Sequence, residues 1–490
     1  YNLLRRLLGF PIGLILPPVV LGYLGVEGYG VWALIQALVA YSIILDMGSD
    51  AMTKYTAEYK SQENHLKISR IFNTLFVLYL FLFFIFFLAV FICQDWIIDV
   101  FIKTDKLPRE DISFALVLYT AVFGINMIFK VYSSFLNGLE RMDLTNKVEM
   151  LSVVNNFIFC IVFLYMGWGI KGLAMASGLS TLMTGCIYVG VCAKVAPYLK
   201  LNPLAFNFGI VHEVKKFVTY GALSGIAAMV QFQLAKLIIS HFLGLRYLTY
   251  YDLGHRLIFA MMGLFSSFAI SIMPAASASY VSSGIEKIKE VFQTTFKYIA
   301  LISIPAFLFT SVMADRIIFV WLGTGYEEAA FVFRFLSIAY LINVLTGPGA
   351  SILMGIGMIE IPFYGGIANG AISVILSLIL VIKFGITGIV ISNLTANTIT
   401  TIYFFYYLQK KLGGSTINIL SYLKFPLLTS MLILLILSFI GKYIRSYHVG
   451  LLSAAILFPI AYILLAYKNP EYGRMRDFIR RPLFFFTYRG

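Results

Sequence analysis

The sequence predicts an all-α polytopic membrane protein with about fourteen transmembrane helices, arranged as two pseudo-symmetric six-helix lobes followed by two C-terminal helices. Three observations predict this fold: the composition, a series of long apolar runs, and an internal repeat. Of the 490 residues, 60% are hydrophobic and 12% are charged, and the mean hydropathy is +0.88. Soluble domains have about 25% charged residues, so the composition excludes a soluble protein.

The apolar runs give the number of membrane spans. A transmembrane helix needs about 20 predominantly apolar residues. Several of the connections between runs are only a few residues long, which forces neighbouring spans into antiparallel hairpins. The segments 50–70 and 280–292 are more polar and are expected to lie along the membrane surface. The predicted spans lie near residues 4–24, 28–48, 71–94, 112–137, 149–166, 170–194, 215–241, 247–279, 293–321, 328–356, 361–383, 386–409, 418–440 and 447–467.

The sequence also repeats itself at a distance of about 217 residues. Two halves with a substrate site between them are typical of alternating-access transporters. We therefore expect an N-terminal lobe (1–200, spans 1–6), a cytoplasmic interlobe loop (201–214), a C-terminal lobe (215–410, spans 7–12), spans 13–14 (411–467) and a basic cytoplasmic tail (468–490). The matching stretches are 22–32 with 241–251, 135–139 with 352–356, and 169–173 with 385–389.

The distribution of basic residues predicts the orientation in the membrane. Cytoplasmic loops of membrane proteins carry an excess of Lys and Arg. With a cytoplasmic N-terminus, the inner side carries 23 of the 37 Lys and Arg and the outer side carries 9. Both termini are therefore expected to be cytoplasmic. Because the net charge of +14 is spread over short loops, no nucleic-acid partner is expected.

Four basic residues fall well inside predicted spans: Lys130, Lys236, Arg256 and Arg334. A cation at the centre of a transmembrane helix costs about 2.5–3.5 kcal/mol on insertion scales. Each could pair with an acid or with backbone carbonyls, and Asp252 lies one turn from Arg256. The spans contain few acids, however, so these cations predict a wet cavity for an anionic cargo. Arg and Lys are natural partners of a phosphate or pyrophosphate group.

Three further residues are candidates for gating or ion coupling. Asp46 lies at the cytoplasmic end of the second span, and Asp252 and His255 lie close together in the eighth. Histidine can carry protons near neutral pH, although a lone histidine in a helix is more often a hydrogen-bonded core residue. The sequence has no nucleotide-binding loop and no catalytic motif, so no enzymatic activity is expected. No metal site and no cofactor is expected either.

A short N-terminal motif resembles that of a known family. The segment 24–34 is followed by Asp46 and Gly48, and together they resemble the N-terminal signature of bacterial polysaccharide flippases. These are the O-antigen (Wzx-type) translocases of the multidrug/oligosaccharidyl-lipid/polysaccharide (MOP, MATE-like) exporter superfamily. The number of spans and the two lobes extend the resemblance over essentially the whole chain. The matching positions are Gly25, Tyr29, Gly30, Trp32, Asp46 and Gly48.

The resemblance implies a flippase in the bacterial inner membrane. Its cargo would be an undecaprenyl-pyrophosphate-linked oligosaccharide, moved to the outer leaflet by alternating access through a central cavity. It further implies contact with membrane lipids and with polysaccharide polymerase or chain-length machinery, and it favours a gating role for Asp46. One alternative is a MATE-like multidrug or metabolite exporter, which predicts acidic cavity residues. Another is a scaffold or glycan polymerase, but the longest outer loop is only about 95–111.

Overall fold

A computed structural model describes residues 2–41, 48–199, 201–202, 205–212, 233–412, 416–441, 444 and 446–469. These residues are almost entirely helical. The helices are α1 (Asn2–Ala40), α2 (Ser49–Ser61), α3 (His65–Phe101), α4 (Arg109–Gly138), α5 (Met142–Tyr165), α6 (Gly169–Val195), α7 (Gln233–Leu243), α8 (Leu245–Val312), α9 (Ala314–Leu322), α10 (Glu327–Val344), α11 (Gly347–Gly355), α12 (Glu360–Leu412), α13 (Thr416–Gly441) and α14 (Tyr447–Lys468).

The predicted all-α membrane fold is confirmed. Ten helices in the described ranges are long and apolar enough to cross a membrane. The difference from fourteen arises mainly because α1, α8 and α12 each contain two predicted spans, which are separated by non-helical backbone at Gly25 (φ 69°), Gly284 (φ 70°) and Gly385 (φ 56°). Glycine reaches positive φ without steric cost, so the chain reverses there within one residue. The seventh predicted span is described only from residue 233.

The internal repeat is visible in the backbone. Four pairs of residues with positive φ recur along the chain, each pair separated by nearly the same distance as the repeated stretches of sequence. Each pair marks the same kind of break between consecutive helices in the two halves. Since residues with positive φ are uncommon, their regular recurrence shows that the two halves turn at equivalent places. The pairs are Gly25 with Gly244, Glu63 with Gly284, Glu140 with Gly357, and Gly169 with Gly385.

Helix packing repeats as well. A Cβ atom built on Gly138 would lie 2.7 Å from the backbone oxygen of Thr53, and one built on Gly355 would lie 2.5 Å from that of Met273. Gly355 is the repeat equivalent of Gly138, and Met273 lies close to the repeat equivalent of Thr53. In both halves, therefore, a glycine allows two helix backbones to approach closely.

The polar segment that includes α2 is folded into the first half. Lys60 at its end donates to Glu140 at 3.0 Å. Phe72 of α3 and Phe135 of α4 belong to the same hydrophobic core as the buried apolar residues of α2. The second polar segment, 280–292, lies within α8 and contains the helix break at Gly284. The expected location of both segments, 50–70 and 280–292, at the membrane surface stays a prediction. The buried residues of α2 are Ser49, Ala51, Met52, Tyr55, Thr56 and Tyr59.

The helices pack into two compact units. One comprises Tyr1–Leu253 with Gly370–Ser392, and the other comprises Gly254–Asn369 with Asn393–Gly490. In the second unit the Tyr462 hydroxyl of α14 donates to the Leu301 oxygen of α8 at 2.9 Å. The domain boundaries expected from the sequence repeat differ from these units and stay a prediction.

Candidate functional site

A cavity of about 380 Å³, lined by both polar and apolar side chains, lies between α4, α5 and α6. Its polar lining follows helical spacing, because side chains three or four residues apart share one helix face. The cavity-lining residues include Asn126, Lys130 and Ser133 on α4, Glu149 and Ser152 on α5, and Thr181, Thr184 and Tyr188 on α6. Three polar helix faces thus converge on one space within otherwise apolar helices. Of the four candidate cations, Lys130 lines this cavity.

Hydroxyl groups hold α5 and α6 together beside the cavity. Ser180 donates to the backbone oxygen of Ser152 at 3.0 Å, and the two serine hydroxyl oxygens lie 3.5 Å apart. Small polar residues let membrane helices approach and hydrogen-bond across their interface. The seam therefore fixes the positions of two of the three polar faces.

A second group of polar residues ties together α1, α7 and α8. The Lys236 ammonium group contacts Asp252 Oδ1 at 2.6 Å, and the Tyr29 hydroxyl donates to Asp252 Oδ2 at 2.8 Å. The side chains of Lys236 and Asp252 are only 13% and 4% exposed. Both carboxylate oxygens of Asp252 are therefore engaged in a buried network. We call Tyr29, Lys236 and Asp252 the three-helix network.

Backbone contacts surround the three-helix network. Thr249 donates to the Val26 oxygen at 2.6 Å, and Ser240 donates to the Phe101 oxygen at 2.6 Å. A Cβ atom built on Gly30 would lie 2.4 Å from the Leu245 oxygen. The motif residues Tyr29 and Gly30 thus contact the segment that matches them in the second half. Gly30 has a packing role, because only a glycine fits against this carbonyl.

The Tyr29→Phe variant tests the hydroxyl of the three-helix network. It is expected to lower the free energy of unfolding by about 1.5 kcal/mol, since hydrogen bonds to charged groups contribute about 1.5–3 kcal/mol and Asp252 keeps Lys236 as a partner. The melting temperature of the purified protein in detergent measures the effect. Tyr165→Phe is the matched control, because Tyr165 is 81% exposed. Equal melting temperatures for the two variants would contradict the role given to Tyr29.

The remaining candidate residues have different surroundings. Arg334 of α10 is paired with Asp315 of α9, with side chains 35% and 60% exposed. Arg256 lies half-buried in α8. The His255 Nε2 atom is 3.2 Å from the Tyr340 hydroxyl, and both residues are buried. Asp46 lies outside the described residues.

These positions correct the expected balance of charge. Lys236 and Arg334 are each neutralised by a carboxylate, whereas the sequence pattern suggested uncompensated cations. Asp252 binds Lys236 and Tyr29. The pairing of Asp252 with Arg256 that the spacing suggested stays a prediction, and Asp315 lies outside the pairs expected from the sequence. The roles predicted for the four cations, for the gate candidates Asp46 and Asp252, and for His255 stay predictions. Within the described ranges, no group of three or more His, Cys, Asp or Glu residues is placed so that it could hold a metal ion.

Sequence comparison finds relatives at low identity. A putative O-antigen transporter of Shigella flexneri is 23% identical over 413 residues, which cover 80% of this chain and 93% of that protein. A teichuronic acid biosynthesis protein of Bacillus subtilis is 23% identical over 52% of either chain. An uncharacterized membrane protein of Methanocaldococcus jannaschii is 21% identical over 63% of this chain and 61% of its own length. For the last two, the chain thus matches only half to three fifths of the relative.

Solved structures share the fold. The lipid II flippase MurJ in an inward closed conformation superposes with a TM-score of 0.74 at 12% identity, covering 98% of both chains. An inward-facing multidrug resistance MATE transporter of the MOP superfamily superposes with a TM-score of 0.69 at 16% identity, covering 84% of this chain and 94% of its own. The chain therefore has the fold of these multi-pass membrane transporters.

A family model described as "Polysaccharide biosynthesis protein" matches residues 23–331. The match includes the N-terminal motif, most of the first half and the start of the second, and it confirms the resemblance seen in the sequence. Together with the relatives it agrees with a transporter rather than an enzyme. Because the match spans more than half of the chain, the protein belongs to the polysaccharide biosynthesis protein family.

Proposed function

We propose that this protein is a flippase for lipid-linked oligosaccharides. Its cargo is an undecaprenyl-pyrophosphate-linked repeat unit of a surface polysaccharide, which it moves across the bacterial inner membrane. The family and the Shigella relative named as a putative O-antigen transporter support a role in polysaccharide export. The fold shared with a lipid II flippase supports a lipid-linked cargo.

The observation that carries the proposal is the charged, hydroxyl-lined cavity inside membrane helices. Lys130 is exposed and Glu149 is half-buried, and both lie within apolar spans. Charged groups at such positions in a membrane protein cost free energy unless they face a wet space, so they indicate a route for a polar substrate. A sugar headgroup needs this kind of wet, hydrogen-bonding environment. The lipid tail can remain in the bilayer while the headgroup crosses.

All four candidate cations are proposed to contact the headgroup during transport. Lys236 and Arg334 contact an anionic headgroup only after they leave Asp252 and Asp315, so for these two we propose an exchange of partners during transport. The same exchange gives Asp252 a gating role in the three-helix network, with Asp46 and His255 as further gate or coupling residues.

The proposed orientation follows from the basic residues, with both termini in the cytoplasm. The breaks at Gly25 and Gly244, beside the three-helix network, then lie at the outer face. The network joins α1, α7 and α8 near this end of the helices. Opening toward that side requires Lys236 and Asp252 to separate.

Export in cells tests the proposal. In a strain that lacks its own repeat-unit flippase, expression of this chain is expected to restore surface polysaccharide, as measured with a polysaccharide-specific antibody. A variant with Lys236, Arg256 and Arg334 all changed to alanine is expected to abolish export. Because loss of Lys236 is also expected to destabilise the protein, export is compared at equal amounts of membrane protein, measured with an antibody against a C-terminal tag.

A matched control and two contrary outcomes complete the test. Changing the surface residues Lys287 and Lys289 to alanine removes basic charge outside the proposed site and should leave export intact. Full export by the triple variant would exclude the cationic headgroup contacts. Drug resistance without polysaccharide export would favour the multidrug exporter instead.

A further inference from the structure

The hydroxyl seam beside the cavity has a counterpart in the second half of the chain. Asn369 Nδ2 lies 3.0 Å from Thr400 Oγ1 and 3.3 Å from Asn397 Oδ1. In the internal repeat, Asn369 is the equivalent of Ser152, and Thr400 is the equivalent of Thr184. Both halves thus join the equivalent helices through polar side chains. The seam itself is a feature of the repeated fold.

The charged groups of the cavity are not repeated. The repeat equivalents of Lys130 and Glu149 in the second half are Gly347 and Gly366. The second half folds with glycine at both positions, so the fold does not require a charge there. Charged residues occupy these two positions only in the first half, where Lys130 and Glu149 both line the cavity. This points to a ligand of the cavity as the reason for the two charges.

The lining of the cavity indicates the chemistry of this ligand. Lys130 donates hydrogen bonds, Glu149 accepts them, and Thr181 can do either. The Ser133 and Thr184 hydroxyls donate to the backbone oxygens of Lys130 and Ser180, and they can still accept. The rings of Phe123 and Phe129 add apolar surface. A sugar presents hydroxyl groups that both donate and accept, together with apolar C–H faces. A pyrophosphate only accepts, and the Glu149 carboxylate next to it would oppose its charge.

We propose that the cavity between α4, α5 and α6 binds one sugar residue of the cargo, whereas the pyrophosphate binds elsewhere. The inference rests on the proposed flippase function and moves Lys130 from pyrophosphate recognition to sugar recognition. The volume of about 380 Å³ falls within the roughly 300–1,000 Å³ of small-molecule sites. It suits a single sugar rather than a whole repeat unit. The cavity thereby selects among glycans.

Binding measurements with two lipids test the inference. The probes are undecaprenyl pyrophosphate without sugar and the same lipid bearing a repeat-unit oligosaccharide, each added to the full-length protein in lipid nanodiscs. Wild-type protein is expected to bind the sugar-bearing lipid more tightly. Glu149→Gln and Thr181→Val should each weaken its binding about tenfold, or about 1.4 kcal/mol, with unchanged binding of the sugar-free lipid.

Two control variants separate loss of sugar binding from general loss of the folded protein. Glu286→Gln changes an exposed carboxylate on α8 and should leave the affinity for both lipids unchanged. Thr181→Ser keeps the hydroxyl and should retain sugar binding, even if Glu149→Gln proves unstable. Equal loss for both lipids, or no loss for either, would overturn the sugar site. Wild-type protein that binds neither lipid would instead overturn the flippase proposal itself.

Discussion

Changing Lys236 to methionine is expected to lower the free energy of unfolding by about 3–5 kcal/mol, the usual cost of removing one partner of a buried ion pair. Asp252 is only 4% exposed and accepts the Lys236 ammonium at 2.6 Å. Without that ammonium, its charge stays buried with the Tyr29 hydroxyl alone as a partner among the three residues. The melting temperature in detergent should fall sharply, and less folded protein should reach the membrane.

A double variant separates the ion pair from the packing. Lys236→Met combined with Asp252→Asn removes both charges and leaves an oxygen that still accepts from Tyr29. The double variant should therefore be more stable than Lys236→Met alone. Lys287→Met is the matched control, because its pair with Glu290 is exposed and such pairs contribute about 0–1 kcal/mol. If Lys236→Met melts no lower than Lys287→Met, the three-helix network does not stabilise the protein.

Changing Gly138 or Gly355 to alanine is expected to destabilise the protein by about 3 kcal/mol, at the upper end of the usual cost of overpacking. In each case the new methyl group would meet a backbone oxygen, at 2.7 Å from Thr53 and 2.5 Å from Met273. Backbone moves less readily than a side chain, so the helices must separate. Because the two sites are equivalent in the repeat, the two losses should be similar.

Gly366→Ala is the control for this pair. No atom lies within 4 Å of a Cβ built at Gly366, and alanine favours the helix at a compatible site by about 0.4–1 kcal/mol. Its melting temperature should stay equal or rise. A large loss at Gly138 with none at Gly355 would show that the repeat does not extend to the energetics of packing.

The fold could be predicted from the sequence because its main signals are local or periodic. Long apolar runs identify transmembrane helices directly, since about 20 consecutive apolar residues are rarely found in any other structure. The breaks at Gly25 and Gly385 fall at two of the three stretches that repeat in the sequence. The number of separate helices was less predictable, because a single glycine can end one span and begin the next without a loop.

The candidate site was less accessible to prediction, because its contacts join distant parts of the chain. Asp252 binds Tyr29, 223 residues away, where helical spacing suggested only Arg256. The buried acid and the motif tyrosine were both visible, but nothing in the sequence paired them. The cavity was missed for a similar reason: Glu149 and Thr181 are unremarkable singly, and only the packing of three helices brings them together.

The glycines at 347 and 366 suggest how proteins of this fold acquire different ligands. In a protein with two repeated halves, only one half needs a ligand-binding cavity. The equivalent helices of the other half can then retain residues that serve packing alone. Substitutions among α4, α5 and α6 can then change which glycan binds, while the equivalent helices of the second half keep their packing. Differences between relatives that handle different polysaccharides should accordingly concentrate at positions 126–133, 149–153 and 181–188.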